Sequence, residues 1–163
     1  MIMSVRHSAR RQRAESACVD LVLDPDAVDP AVAIRKATEG RGADVAIEAS
    51  GSASGLQSAL RALGRGGRLL VHGAVPPRTR VAVAPFEIFE RELSLIGSLG
   101  GTGDTWPRAI ELIAAGRIDP LPLVDAEWDL NEAPVALEEL RTNREIVKGM
   151  VRVHADGLAP QGR

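Results

Sequence analysis

The stretch Ala43-Asp44-Val45-Ala46-Ile47-Glu48-Ala49, followed by the turn Ser50-Gly51-Ser52, decides the fold of this chain. It is apolar except at Asp44 and Glu48, as expected of a strand buried in a parallel sheet. Apolar residues at three- and four-residue spacing then predict a helix over residues 54–63. After the glycine-rich turn 64–67, residues 68–71 predict the next strand. This strand–helix–strand order predicts an α/β fold.

The alternation of strands and helices continues on both sides of this unit. Further strands are predicted at residues 2–5, 21–23, 79–83, 93–98, 124–130 and 146–153. Further helices are predicted at residues 8–15, 30–38, 85–90, 105–116 and 131–141, with Ser8, Asp29 and Asn131 among their caps. We therefore expect a Rossmann-like, mainly parallel sheet with helices on both faces in residues 1–153, followed by a disordered tail of residues 154–163.

A phosphate-binding loop is not found before these elements. No Gly-x-Gly-x-x-Gly sequence precedes the first predicted strand. That loop normally lets the backbone approach a pyrophosphate and places the phosphates at a helix N-terminus. The fold is therefore expected to lack its first βα unit and to hold only part of a dinucleotide site.

The composition argues against several classes of binding partner. The 163 residues have a net charge of −2, which gives no global attraction for polyanions. Two Trp, two Phe and no Tyr offer few stacking platforms, so nucleic-acid binding is not expected. No apolar run approaches about 20 residues, so no membrane span is expected. The short apolar start Met1-Ile2-Met3 does not resemble a signal peptide, which predicts a cytoplasmic protein.

The sequence contains no recognisable arrangement of residues for metal binding or for nucleophilic catalysis. Cys18 is the single cysteine, so a disulfide within the chain and a cysteine-based zinc site are excluded, and a packing role is expected for it. The histidines His7, His72 and His154 are far apart in sequence. We assign no catalytic residue and no metal ligand from the sequence.

Three turns are the candidate ligand site, because ligands in open α/β sheets bind outside the carboxyl ends of the strands. These turns are Ser50-Gly51, His72-Gly73-Ala74 and Ser98-Leu99-Gly100. The alternative is that their glycines serve only to make tight turns. Glu48 is expected to pair with a neighbour or to be solvated at the rim of the sheet rather than to act as a functional acid.

Residues 40–51, 59–73 and 96–101, in this order and spacing, resemble the cofactor-domain half of the medium-chain dehydrogenase/reductase family, the zinc-type alcohol, polyol and threonine dehydrogenases. Weaker matches at residues 10–25, 129–137 and 148–153 extend the resemblance over residues 4–153. The resemblance implies NAD or NADP as cofactor and the three turns as linings of the adenine-ribose and nicotinamide pockets. Lys148 matches a basic position near the cofactor phosphates in the family, although an edge-strand lysine is an equal alternative.

The chain also departs from this family. The catalytic domain with its Cys/His/Glu zinc ligands is not found in the sequence. The acid that holds the ribose hydroxyls would fall at Val5, which cannot accept those hydrogen bonds. Arg6 and His7 follow Val5, which in relatives would indicate NADP. Cofactor binding is therefore expected to be partial and weak, and this chain is expected to bind no zinc.

Two functions follow as expectations. The first is the cofactor-domain portion of a nicotinamide-dependent zinc-type alcohol or polyol dehydrogenase, in which zinc in intact relatives polarises the alkoxide during hydride transfer. The alternative is a non-catalytic remnant, or a dimerising or weak nucleotide-binding module that is inactive alone. A nucleotide-sugar or methyl-transfer enzyme would not explain the turn at residues 96–101 or the late helix and strand.

The segment Thr79–Ala84 is the candidate for self-association. Its polar and apolar residues alternate between Pro77 and Pro85, which is typical of a short edge strand. An unpaired edge invites pairing with another chain, and the family resemblance implies a two-fold homodimer through this segment. The alternative is a solvated surface hairpin in a monomer.

Overall fold

Strands and helices alternate along the chain in the computed structural model, which describes residues 1–17, 19–101 and 103–153. The strands are β1 (Ile2–Ser4), β2 (Leu21–Leu23), β3 (Ala43–Glu48), β4 (Leu63–Val71), β5 (Ser94–Gly97), β6 (Ala126–Asp129) and β7 (Gly149–Arg152). The helices are α1 (Ser8–Glu15), α2 (Pro30–Ala37), α3 (Ala53–Ala62), α4 (Pro85–Glu90), α5 (Thr105–Ala114) and α6 (Ala133–Thr142). The predicted α/β class is confirmed, whereas the predictions for Cys18 and for the tail fall outside the described residues.

Every strand pair in the described residues is parallel, and the pairs form three separate ladders. These are β1–β2, β3–β4–β5 with β4 in the centre, and β6–β7. In the usual strand order of a dinucleotide-binding sheet, one further strand lies between the positions that β1 and β3 would occupy. The sheet is therefore divided at the place where the expected first βα unit belongs.

The connection between the first two ladders is fixed by α2 packing on α3. Asp29 caps α2 by accepting a hydrogen bond from the Ala31 N–H at 2.9 Å. Arg35 of α2 donates to the carbonyl oxygens of Arg61 and Leu63 at 3.0 and 3.1 Å. These bonds hold the beginning of β4 against α2.

The apolar core lies between α3 and one face of the β3–β4–β5 ladder. Leu60, Leu63, Leu69 and Leu93 are buried there, and Ala46 packs against them. Strand side chains alternate between faces, so Val45 and Ile47 lie on the opposite face. They are 49% and 63% exposed, which leaves that face of the sheet largely uncovered among the described residues.

Residues 64–67, predicted as a turn, belong to β4 instead. Their glycines serve close strand approach: a Cβ on Gly64 would lie 2.4 Å from the Arg41 carbonyl oxygen. The register of the β3–β4 pairing shifts between Ala43 and Val45 of β3. On the β4 side of this shift, Gly66 has φ +70°. The extra residues of β4 form a bulge-type irregularity. A glycine-rich sequence fits a bulge within a strand as well as a turn between two elements, so the sequence pattern did not separate them.

Residues 79–84, predicted as an edge strand, form no strand in the described structure. Burial nevertheless alternates: Thr79, Val81 and Val83 are half-buried, whereas the residues between them are exposed. Val83 packs on the core. Contact with the core therefore explains why alternate residues are half-buried, and no partner strand is needed.

Two predicted helix caps are also wrong. Helix α1 starts after His7 with no side-chain cap, so Ser8 is already helical. The chain before α6 is capped by a box of Asp129 and Glu132 rather than by Asn131. None of the helices in the described ranges has the length and apolar character to span a bilayer.

Candidate cofactor edge

Three turns lie side by side because the strands that precede them end in register. Glu48 of β3 pairs with Val71 of β4, and Val71 pairs with Gly97 of β5. The Ser98 N–H donates to the Val71 carbonyl oxygen at 3.0 Å, which continues the β5 pairing into the third turn. The turns 50–51, 72–74 and 98–100 therefore share the carboxyl edge of one parallel ladder, which is where open α/β sheets bind ligands.

The first two turns touch each other through their glycines. A Cβ on Gly51, which has φ +67°, would lie 2.8 Å from the Ala74 carbonyl oxygen. A Cβ on Gly73 would lie 2.3 Å from the Gly51 nitrogen. Only glycine permits these approaches, so the two turns form one continuous backbone surface.

Glu48 lies beneath this surface and is only 3% exposed. Its Oε1 accepts hydrogen bonds from the Ser50 N–H at 2.7 Å, from the Gly51 N–H at 3.0 Å and from the Ser50 hydroxyl. Its Oε2 is buried and has no hydrogen-bond partner among the described residues. A solvated rim position for Glu48 is therefore wrong, and its pairing is with its own turn. The one available signal was an isolated Glu at the end of an apolar strand, two residues before Ser50-Gly51.

The remaining predicted residues of the three turns face outward. Ser50, His72, Ala74, Ser98 and Gly100 are exposed. Leu99 is 89% exposed. A ligand at this edge would meet backbone groups, small side chains and the exposed side chains of His72 and Leu99.

Lys148 lies away from the three turns, immediately before β7 of a different ladder. Its N–H donates to Asp125 Oδ2 at 3.0 Å, just before β7 pairs with β6. Asp125 also accepts a hydrogen bond from the Val147 N–H at 2.7 Å and forms an ion pair with Arg13. These contacts lower the pKa of the Asp125 carboxyl, the Lys148 N–H most strongly. The contacts of the Lys148 backbone thus have a structural role in the β6–β7 unit.

The end of β1 carries Val5 where an acid was expected. The Val5 N–H donates to the Leu23 carbonyl oxygen at 2.9 Å, so Val5 continues the β1–β2 ladder. Arg6 pairs with Asp26 at 3.1 Å, and Arg11 pairs with Asp24 at 2.9 Å. Arg6 and Arg11 are thus engaged with acids of the loop after β2.

A shallow hollow of about 430 Å³ lies away from the three turns, at the ends of β6 and β7. It is lined by Asp129, Leu130, Asn131, Arg152 and Val153. Arg152 pairs there with Glu127 and Asp129, so its charge is already balanced. In residues 1–17, 19–101 and 103–153, no three His, Cys, Asp or Glu side chains converge as a metal site would require.

Comparison with known proteins gives a consistent family. The family described as zinc-binding dehydrogenase matches residues 1–115. The 2-dehydro-3-deoxy-L-galactonate 5-dehydrogenase of Pseudoalteromonas atlantica is 30% identical over 96% of this chain and 45% of its own length. The sorbitol dehydrogenase of Bacillus subtilis is 35% identical over 72% of this chain and 33% of its own length.

A solved structure shows the same fold with a cofactor. A protein from Sinorhizobium meliloti, described as a zinc-binding dehydrogenase and bound to NADP, matches with a TM-score of 0.78 and 31% identity. The match covers 83% of this chain and 40% of that protein. The chain thus spans less than half the length of these relatives.

Proposed function

Because this chain belongs to the zinc-binding dehydrogenase family, we propose that it is the cofactor-domain portion of a nicotinamide-dependent alcohol or polyol dehydrogenase. The observation that supports this most is the common edge of the turns 50–51, 72–74 and 98–100. The similar protein from S. meliloti binds NADP. We propose the backbone groups of these turns, with Lys148 as a further candidate, as the contacts to NAD or NADP.

The turns 50–51, 72–74 and 98–100 fit such a ligand because they lie together at the carboxyl edge of one parallel ladder, where open α/β sheets bind ligands. When bound, the cofactor would supply the hydride acceptor or donor. This chain would orient it through the turn N–H and carbonyl groups. Zinc does not fit the described residues, which offer no converging ligand set, so no step of this proposal uses zinc.

Binding is expected to be weak, because no Gly-x-Gly-x-x-Gly loop is present to hold the pyrophosphate. At about 1–2 kcal/mol for each charge-assisted hydrogen bond, two or three lost bonds weaken binding roughly a hundredfold or more. A micromolar dissociation constant for either cofactor would contradict this expectation.

Calorimetric titration of the purified chain with NAD and NADP tests the proposal. Ala74→Asp places a negative charge in the second turn and is expected to abolish binding. Ala27→Asp makes the same change at an exposed residue outside the three turns and is the matched control. The alternative of a non-catalytic remnant would replace the proposal if the unmodified chain bound neither cofactor at millimolar concentration.

The isolated chain is also expected to show no zinc-dependent alcohol dehydrogenase activity. No group of His, Cys, Asp and Glu in the described part of the chain is arranged to hold the metal. The measurement is turnover of simple alcohols and polyols with NAD or NADP, with and without a chelator. Turnover that the chelator abolishes would contradict the expectation.

A further inference from the structure

Glu48 is hydrogen-bonded to both of the turns that touch each other. Its main-chain carbonyl oxygen accepts the N–H groups of His72 at 2.9 Å and Gly73 at 2.8 Å. Its side-chain Oε1 accepts the N–H groups of Ser50 and Gly51. The main chain at position 48 thus holds the turn after β4, as any residue there could, whereas the carboxylate holds the turn after β3.

Two glycines from different elements lie close to the Glu48 carboxyl group. A Cβ on Gly55, in the first turn of α3, would lie 3.1 Å from Oε1 of Glu48. A Cβ on Gly73 would lie 2.6 Å from Oε2. The carboxyl group therefore occupies space that a side chain at either position would fill, and it lies against the backbone of α3 on one side and of the His72–Ala74 turn on the other.

We infer that Glu48 is a positioning residue, which sets the position of the Ser50–Gly51 turn relative to the His72–Ala74 turn. Its carboxyl oxygens are buried, so it acts through the turns and does not itself touch a ligand. The consequence for cofactor affinity rests on the proposed function, because these two turns would carry backbone contacts to NAD or NADP.

The experiment compares Glu48→Ala, Glu48→Gln and the matched control Ser58→Ala. Ser58 lies in α3, and its buried hydroxyl also has no partner among the described residues. Amide hydrogen exchange and amide chemical shifts are measured by NMR, and NAD and NADP affinities by calorimetry. Glutamine keeps an oxygen that can accept the Ser50 and Gly51 N–H groups, whereas alanine does not.

In Glu48→Ala, the Ser50 and Gly51 amides are expected to exchange at least about tenfold faster, because their acceptor is gone. The His72, Gly73 and Ala74 resonances are expected to shift, and cofactor affinity to fall about tenfold. Glu48→Gln is expected to restore most of the exchange protection. It also shifts the Gly73 resonance, because its amide nitrogen would lie against Gly73. Ser58→Ala changes none of these quantities.

Unchanged His72–Ala74 resonances in Glu48→Ala would overturn the link between the turns. Should that variant not fold, an unshifted Gly73 resonance in Glu48→Gln would do the same. An unchanged cofactor affinity with disturbed turns would overturn the consequence for binding. If the unmodified chain binds no cofactor, the proposed function fails, whereas the exchange and shift data still decide whether Glu48 positions the turns.

Discussion

The guanidinium of Arg61 in α3 bonds both oxygens of the Asp29 carboxylate, which at the same time caps α2. Arg61 donates to Oδ2 at 3.0 Å and to Oδ1 at 3.3 Å. Oδ1 also accepts the Ala31 N–H. The Arg61 bond is the main cause of the lowered pKa of Asp29. One carboxylate thus fixes where α2 begins and which part of α3 it meets.

Replacing Arg61 with Met is expected to lower the melting temperature by about 2 °C, because a two-point ion pair that also orients a helix cap is lost. The matched control is Arg108→Met, which removes an exposed ion pair with Glu111 at 4.0 Å. Its effect is expected to stay below about 1 °C. Thermal unfolding followed by circular dichroism measures both, and equal shifts would show that the Asp29 contact has no special role.

Stability at low pH is expected to depend on Asp125. The Lys148 N–H, the Val147 N–H and the Arg13 charge lower its pKa in the folded chain. A lowered pKa stabilises the fold above the unfolded value of about 3.9, and this contribution is lost as the pH falls through the folded value.

Between pH 5 and pH 3, the free energy of unfolding, measured with urea and tryptophan fluorescence, should fall more steeply in the unmodified chain than in Asp125→Asn. Asp44→Asn, at an exposed position of β3, serves as control and should keep the steep dependence. Parallel pH profiles for the unmodified chain and Asp125→Asn would contradict the assignment.

Gly73→Ala is expected to destabilise the chain by about 2 kcal/mol, because the new Cβ would meet the backbone nitrogen of Gly51, which cannot move aside. Gly97→Ala, in the neighbouring strand, adds a methyl group with nothing within 4 Å. It should change the free energy of unfolding by less than about 0.5 kcal/mol. Chemical denaturation of the two variants separates them, and a tolerated Gly73→Ala would show that the turns are not in contact.

The edge-strand dimer stays a prediction. Residues 79–84 form no strand in the described structure, so this interface would require the segment to become extended against its own copy. Ala82→Pro removes a backbone donor and should reduce a dimer seen by light scattering, whereas Ala82→Ser keeps the donor and should leave it intact. A monomer at high concentration, or a dimer that survives Ala82→Pro, would refute this interface.

Local patterns predicted the elements well where one signal was sufficient. The apolar run of β3, the spacing in α3 and the Asp29-Pro30 start of α2 each identify an element from its own residues. The patterns failed where contacts between residues that are distant in sequence determine the local structure. Gly64 makes a close strand approach to Arg41, and Val83 packs on a core formed elsewhere in the chain.

The candidate site was also predicted in part. Its three turns were predicted because each follows a recognisable strand. The burial of Glu48 was not, because it depends on Gly55 and Gly73 leaving space from two other elements. Periodicity records which residues alternate in one segment and contains no information about space that another segment leaves open.

The division of the sheet between β1 and β3 also affects how the chain unfolds. In a continuous parallel sheet, the hydrogen bonds between neighbouring strands make the whole domain melt as one cooperative unit. Here the β1–β2 ladder shares no strand pairing with the β3–β4–β5 ladder, and α2 packed on α3 connects them. Heat should therefore melt the two-stranded β1–β2 unit before the β3–β4–β5 ladder, which carries the buried leucine core and the three turns.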